Sequence, residues 1–380
     1  MNKKFDNNLV GLKDLSTPSF YILLTKDYRE FLIKKALNNK KDFKSIAQEI
    51  GCCVETLKNF KNYKEKHINS KFLKNLLSLL DIPINDAEKH VLSIKRGCSN
   101  RDVKLRLPIK AKPELALLMA KAFGDGSVLS DWRFHYTNTQ LNLIKEVINA
   151  VTKSIGKTRY TLHKRSDRKI YEIKFSPVVG YILNLIGAPK SYKINQEFRI
   201  PNWIMDGDKN TKSYFLRGIF DDESCVNKSG RSKRILLAMG KINDYEDSLR
   251  NFLEQIQKLL LEFDISTGSI HIQQRYGNKV ILRFGIYKKT NFENFKMFID
   301  FTHTKKKRII KDIINSYIDT HKTKKMVLET LKDVKYPLTT NEIAKLNKLR
   351  RRNAYEHLNN LFKEDIIKKI EVRPTMWFKN

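Results

Sequence analysis

The chain has 380 residues, 74 of them lysine or arginine against 41 aspartate or glutamate, which gives a formal net charge of +33. Such an excess attracts a polyanion, and 41% hydrophobic with 10% aromatic residues excludes a disordered basic tail. No apolar run approaches the roughly 18 residues of a membrane span, and the N-terminal MNKKFDNNLVGLKD has no apolar signal core, so an intracellular, cytoplasmic protein of two or more domains is expected.

Residues 1–98 show helical periodicity with few strand signals and are expected to form an all-α domain. Within them, FKSIAQEIGCCVETLKNFKN places Ile46 and Ile50 on one helix face, small Ala47 where a second helix would cross, Gly51 at a turn, and Leu57 and Phe60 beyond it. This is the spacing of a helix-turn-helix, whose second helix would present Lys58, Asn59 and Lys61 to a major groove. An ordinary helical hairpin has the same apolar spacing. Cys52, Cys53, Cys98 and Cys225 show neither paired metal-ligand spacing nor a disulfide framework, so they read as buried reduced thiols and zinc is not expected.

The middle of the chain is duplicated. ELALLMAKAFGDGSV, residues 114–128, and SYFLRGIFDDESCV, residues 213–226, are apolar helices that run into acid, with Ala120 aligned to Gly218 and Asp125 to Glu223, 98 positions apart. By itself an acidic run at a helix end is usually a solvated turn, and Asp221 and Asp222 are expected to cap the helix or face solvent. The segments downstream of the two helices are alike, however. WRFHYTN, QLNLIKEVINAVTKSI, the hairpin TRYTLHKR–KIYEIKFS turning at Ser166 and Asp167, and VVGYILNLIG are answered by ILLAMG, YEDSLRNFLEQIQKLLLEF, SIHIQQR–KVILRFGIY and NFENFKMFIDF. The halves are set at 99–205 and 206–320.

Alternation divides these strands into two faces. Trp132, Phe134, Tyr136, Tyr160, Leu162, Val280, Leu282 and Phe284 should pack on helices. Arg133, His135, Thr137, Arg159, Thr161, His163, His271, Gln273, Arg275, Lys279 and Arg283 share the opposite face, joined by Lys174 from the second hairpin strand. A solvated face mixes both signs of charge. This one is nearly all donors of the kind that contact base edges and phosphates, so double-stranded DNA is the expected partner.

At residues 323–380, TKKMVLETLKDV is one helix and TTNEIAKL opens with a Thr-x-x-Glu capping box at Thr339 and Glu342. LRRRNAYEHLNNLFKED is a third helix, and IIKKIEVRPTMWFK alternates as a hairpin near Arg373 and Pro374. Three helices and a hairpin make a winged helix, with Arg350, Arg351 and Arg352 opening its recognition helix. Winged helices also bind proteins, and an arginine run also occurs as a solvated face.

AKAFGDGSV and FLRGIFDDESCV, with FRIPNWI at 198–204 ahead of the second, resemble the LAGLIDADG (dodecapeptide) homing endonucleases in their single-chain, two-motif form. The resemblance spans roughly residues 105–318. It implies an α+β fold, a duplicated αββαββα core whose motif helices pack along a pseudo-twofold axis while two antiparallel sheets form a saddle over DNA. A monomer with this internal symmetry is expected. Asp125 and Glu223 would lie together beside the scissile phosphates and hold Mg²⁺ or Mn²⁺ for phosphodiester hydrolysis, the staggered double-strand cut of intron homing. Lys193, in SYKINQEFRIP, and Lys307, in HTKKKRIIKD, match the family's basic residues near each phosphate. Ser224 departs from the family's usual glycine. The ends of the chain lack the His-Asn ending of inteins, which also carry this domain, so an intein is not expected. Two other readings share the core: a cleavage-silent DNA-binding regulator, and an RNA maturase using the same basic face without metal.

Overall fold

The structure is a computed structural model that describes residues 8–15, 19–40, 42–62, 66–97, 102–165, 169–197, 199–228, 233–317, 320–334 and 336–379. Cys98, Ser166, Asp167 and Phe198 lie outside the described residues. Two helices organise the larger of its two units, residues 1–311. Pro113 sits at the first turn of the helix Pro113–Phe123, where its missing N–H is no loss, and every residue from Leu115 to Phe123 is buried. The second, Lys209–Glu223, starts at Asp208, whose carboxylate accepts from Thr211 N at 2.7 Å.

These two motif helices pack against each other through small residues at aligned positions. A Cβ on Gly218 would stand 2.6 Å from the Ala120 Cβ, and one on Gly124 would stand 2.7 Å from Asp222 Oδ2. Residues 120 and 218, and 124 and 222, are each 98 apart, so each faces its own counterpart. That is the signature of a pseudo-twofold axis between the helices, and it requires one small partner in each facing pair.

Each motif helix leads into a four-stranded antiparallel sheet of the same strand order. The first runs Thr161–Arg165, Ile170–Lys174, Phe134–Asn138, Gly126–Val128; the second runs His271–Tyr276, Lys279–Ile286, Arg234–Ile242, Ser224–Asn227. Helices Leu141–Ser154 and Pro177–Leu185 complete the first half, and Glu246–Leu261 and Lys289–Phe298 the second. The core is therefore the mixed α+β architecture, helix, two strands, helix, two strands, helix, made twice. Phe134, Tyr136, Val280, Leu282 and Phe284 are buried as their alternation requires.

Three expected core residues depart from that face. Tyr160 and Leu162 are each 43% exposed. Trp132 lies in a turn at φ 70 instead of a strand, with its ring 5.1 Å from the Arg96 guanidinium and 3.7 Å from Lys190 Nζ. Cys53 and Cys225 are exposed and Cys52 is half-buried, so these thiols are not the core fillers that composition suggested.

The N-terminal region is not all-α. Phe20–Leu24 alternates buried and half-buried residues and pairs with Ile68–Asn69 and Val91–Arg96, in a five-stranded sheet that continues through Val103–Leu105 to Gly156–Thr158 of the first half. Short apolar runs such as Tyr21-Ile22-Leu23-Leu24 look alike in a strand and in a buried helix, which hid them in the sequence. Helices Phe43–Ile50 and Val54–Asn62 lie against each other across Gly51, whose φ of 69 suits glycine, and Ile46, Ala47, Ile50, Leu57 and Phe60 are buried between helices.

The second unit, residues 312–380, contains the helices Thr320–Asp333, Thr340–Leu346 and Arg351–Lys363 and a sheet of strand order Leu338–Thr339, Met376–Lys379, Ile367–Ile370. The Thr339–Glu342 capping box is formed in both directions. Val327, Leu331, Ile343, Leu358, Ile367 and Trp377 form its core. Among the described residues no helix is long and apolar enough to cross a membrane.

Candidate active site

The ends of the motif helices bring four carboxylates together. Asp125 accepts from Asn138 Nδ2 at 3.0 Å and opens into a cavity of about 370 Å³, lined also by Asn138, Asp222, His303 and Lys306. Desolvation by the helix ends and then the Asp222 charge push the Asp125 carboxyl up to about 6. Glu223 is pushed further, to about 7, by burial, with Asp125 and Asp222 adding to the rise against the pull of Lys193. Two acids held ionised with difficulty are a place where a cation gains.

Asp221 and Asp222 are not solvated. Asp221 is 1% exposed and accepts from Thr302 N at 3.2 Å and His303 N at 2.9 Å, which pins the segment ahead of the helix Thr304–Asn315. Asp222 takes the Lys121 ammonium at 2.8 Å, the Tyr136 hydroxyl at 2.8 Å and the Asp125 amide at 3.2 Å. Lys121 is fully buried in an apolar helix; burial lowers its pKa, but the Asp222, Asp221 and Glu146 charges outweigh that and leave it raised. A lone lysine amid Ala, Leu and Phe, one turn before a motif acid, was the sequence signal for this pair.

Two lysines reach the same place. Lys193 donates to Phe123 O and Gly126 O at 3.0 Å and to Gly124 O, and burial lowers its pKa while Glu223, Asp222 and Asp125 raise it. In the second half the equivalent lysine is Lys306, not Lys307. Lys306 donates to Phe220 O at 3.0 Å and Asp221 O at 2.5 Å, whereas Lys307 points away into an ion pair with Asp300 at 2.6 Å. The run of three lysines at 305–307 left that choice to helix phase, which the cap at Asp221 sets. Lys241, 1% exposed, donates to Lys193 O at 2.9 Å and to Gln196 O, and burial lowers its pKa to about 8.

Ser224 needs no left-handed backbone. Its φ is −104, extended, and its hydroxyl donates to Phe220 O, so serine fits where Gly126 of the first half is glycine because a Cβ there would stand 2.6 Å from Lys121 O.

The polar sheet faces are only partly as expected. His135, Lys174 and Thr161 lie side by side across the first sheet, and so do Thr137, Glu172 and His163, which puts an acid within the basic row. Arg133 is tied to Asp131 through Nε at 2.7 Å, and Arg159 is exposed on the adjoining loop. In the second sheet, Lys279 and Arg283 share a face with His271, whose ring accepts from Arg283 Nε at 3.1 Å. A bulge between Ile272 and Gln274 then shifts the strand by one residue. Gln273 occupies the bulge, and Arg275 is turned to the helix side, ion-paired with Glu246 at 2.6 Å. Gln274 and Tyr276 stand beside Ile281 and Lys279.

Elsewhere, Lys58 and Lys61 are exposed and Asn59 half-buried on the second helix of the N-terminal pair. Arg350 precedes the helix Arg351–Lys363, with Arg351 and Arg352 exposed in its first turn.

Mg²⁺ retains several waters and is held through one or two carboxylates. Asp125 and Glu223, with raised pKa values, fit that donor set, although among the described residues no three His, Cys, Asp or Glu side chains gather into a complete metal cage.

Residues 210–300 match the family described as the LAGLIDADG-like domain. The tRNA-splicing ligase RtcB of Methanopyrus kandleri is 25% identical over 165 residues, 41% of this chain and 16% of that protein. A glutamine–fructose-6-phosphate aminotransferase of Methanocaldococcus jannaschii is 23% identical over 322 residues, 79% of this chain and 27% of that protein. The chain thus spans about a quarter or less of these relatives' length. A crystal structure of I-DmoI in complex with DNA and Mn aligns at 17% identity and a TM-score of 0.35, covering 49% of this chain and 96% of that one. The family match thus falls in the second half of the core, and the first half repeats the same elements in the same order.

Proposed function

We propose that this protein is a metal-dependent, site-specific endonuclease of double-stranded DNA, of the homing type, acting as a pseudo-symmetric monomer. The observation that carries this reading is the convergence of Asp125 and Glu223 at the packed ends of the motif helices, each with a lysine beside it. Relatives as different in chemistry as an RNA ligase and an aminotransferase match this chain over a minor part of their length. Bound Mg²⁺ or Mn²⁺ would supply an activated water and a counter-charge for the leaving oxygen. Asp125 and Glu223 would hold the ion, while Lys306 and Lys193, fixed to the helix-end carbonyls, keep positive charge beside each acid and draw the phosphates to it. The sheet faces carrying His135, Lys174, His163, Lys279 and Arg283 would track the duplex. The helix pair at 43–62 would act as a helix-turn-helix, and residues 320–379 as a winged helix led by Arg350, Arg351 and Arg352.

The test pairs cleavage with affinity. Plasmid carrying the DNA that flanks the protein's own coding sequence, rejoined without it, is incubated with the full chain in Mg²⁺ or Mn²⁺. Wild type is expected to linearise it, and Asp125→Asn or Glu223→Gln to lose double-strand cleavage with DNA affinity kept or tightened. If wild type cuts no bound DNA in either metal, the protein is a DNA-binding regulator on this core.

A further inference from the structure

Each half sends one side chain between its second strand and the helix that follows toward the other half: Gln140, at the cap of the helix Leu141–Ser154, and Lys241, near the end of the strand Arg234–Ile242. Both reach into the opposite half. Lys241, from the second half, donates to Lys193 O at 2.9 Å and to Gln196 O, on the segment that closes the first half. Gln140, from the first half, accepts from Thr304 Oγ1 at 3.1 Å, on the segment that closes the second. Each grip has support nearby: Gln255 Oε1 accepts from Ile200 N at 2.9 Å, Asn142 donates to Thr302 O, and Glu146 accepts from Thr302 Oγ1 at 2.7 Å.

The gripped segments carry Lys193 and Lys306. Lys306 lines the same cavity as Asp125, while Lys193 is bonded to the carbonyls of Phe123, Gly124 and Gly126 on either side of Asp125 and feels the charges of Glu223 and Asp125 alike. One site therefore takes its acid and its grip from the first half and its lysine from the second. The other site is made the opposite way.

We propose that Lys241 and Gln140 are positioning residues through which each half holds the lysine of the other's site, Lys241 setting Lys193 beside Glu223 and Gln140 setting Lys306 beside Asp125. Its catalytic consequence rests on the endonuclease reading. The two grips are unequal: Lys241 is a buried ammonium serving two carbonyls, while Gln140 is half-buried and meets one hydroxyl. The strand cut beside Glu223 thus leans on Lys241, a side chain that the other strand's site does not share.

The experiment uses the full chain, as wild type, Lys241→Met, Lys241→Gln and Gln140→Met. Hydrogen exchange without DNA or metal tracks Ser191 and Asn195, whose amides are bonded to Val128 O and Tyr192 O, and Thr302 and His303, bonded to Asp221. Lys241→Met is expected to speed exchange at 189–197 by about tenfold while the motif helices stay protected, with Lys241→Gln between it and wild type. Gln140→Met should loosen 301–306 instead. Nicking is then measured on a duplex that wild type cuts, recovered from a randomised plasmid library in Mg²⁺, with each strand labelled separately. The ratio of the two strand rates should move by about tenfold in opposite directions in Lys241→Met and Gln140→Met, since a small misplacement of a catalytic group is expensive. Unchanged exchange overturns the grip, and equal slowing of both strands overturns the positioning role. If wild type nicks nothing, the endonuclease reading fails and the strand asymmetry falls with it, while the exchange data still decide the grip.

Discussion

Lys121 and Asp222 show what a single side chain does in this molecule. Their ion pair is entirely buried, so removing one partner strands the other charge in an apolar interface, at about 3–5 kcal/mol. Lys121→Met is expected to lower the unfolding free energy read from urea titration by that order, and Lys121→Met with Asp222→Leu to lower it by less than the two single changes together, as a double-mutant cycle reads. Additive losses would show that the two do not act as a pair. Glu223 makes a separate prediction through its pKa of about 7, raised above the ordinary 4.5 by burial. The folded chain holds that proton where the unfolded chain has released it. The resulting stabilisation is complete below about 4.5 and is lost as pH rises through about 7. In EDTA, Glu223→Gln should therefore be more stable than wild type at pH 8 by about 1–2 kcal/mol and no more stable at pH 4. Denaturant midpoints at both pH values measure it, and a gain confined to pH 4 would reverse the sign.

At the scale of elements, the motif helices were legible because their chemistry is compressed into few positions: a small residue for close approach and an acid at the end, repeated at a constant offset. The capping box at Thr339 and Glu342 was legible for the same reason. The strand His271–Tyr276 was not, because one bulged residue exchanges its two faces and nothing in HIQQRY marks the bulge. The N-terminal strands were missed because a five-residue apolar run carries no period of its own. Lys306 does not stand out from Lys307 in the sequence, since a helix start cannot be phased there to one residue. The bulge yields a direct test. Tyr276→Ala and Gln274→Ala should weaken DNA binding about three- to tenfold without changing stability. Arg275→Ala should leave affinity nearly unchanged and cost about 0.5 kcal/mol through its ion pair with Glu246, whose exposure limits its worth. Binding titrations set against thermal melts decide it, and the reverse pattern would put Arg275 on the DNA.

For the molecule as a whole, the charge of +33 is what a salt titration of DNA binding would read. With the sheets and both flanking modules engaged, affinity should fall with salt at a log–log slope of order −6 or steeper. Deleting residues 320–380, from the second unit, should make that slope shallower and the binding weaker, while cleavage at saturating protein persists, because Asp125 and Glu223, the carboxylates proposed to hold the metal, both belong to the first unit. A folded truncation that cuts nothing at saturation would tie the unit to catalysis.

The strand Gly156–Thr158 belongs by sequence to the first of the two repeated halves and by hydrogen bonding to the sheet of the N-terminal region. Seams between modules that are shuffled freely in evolution run through loops. Here the seam runs along a strand edge, with Val103, Lys104 and Leu105 laced to Thr158, Lys157 and Gly156. A chimaera that swaps the N-terminal region at residue 98 would inherit an unpaired edge on each side of the graft. Transplanting the module intact means carrying residues 103–105 across with it and choosing a recipient whose own strand at 156–158 will accept them, so this head and this core are heritable as one piece.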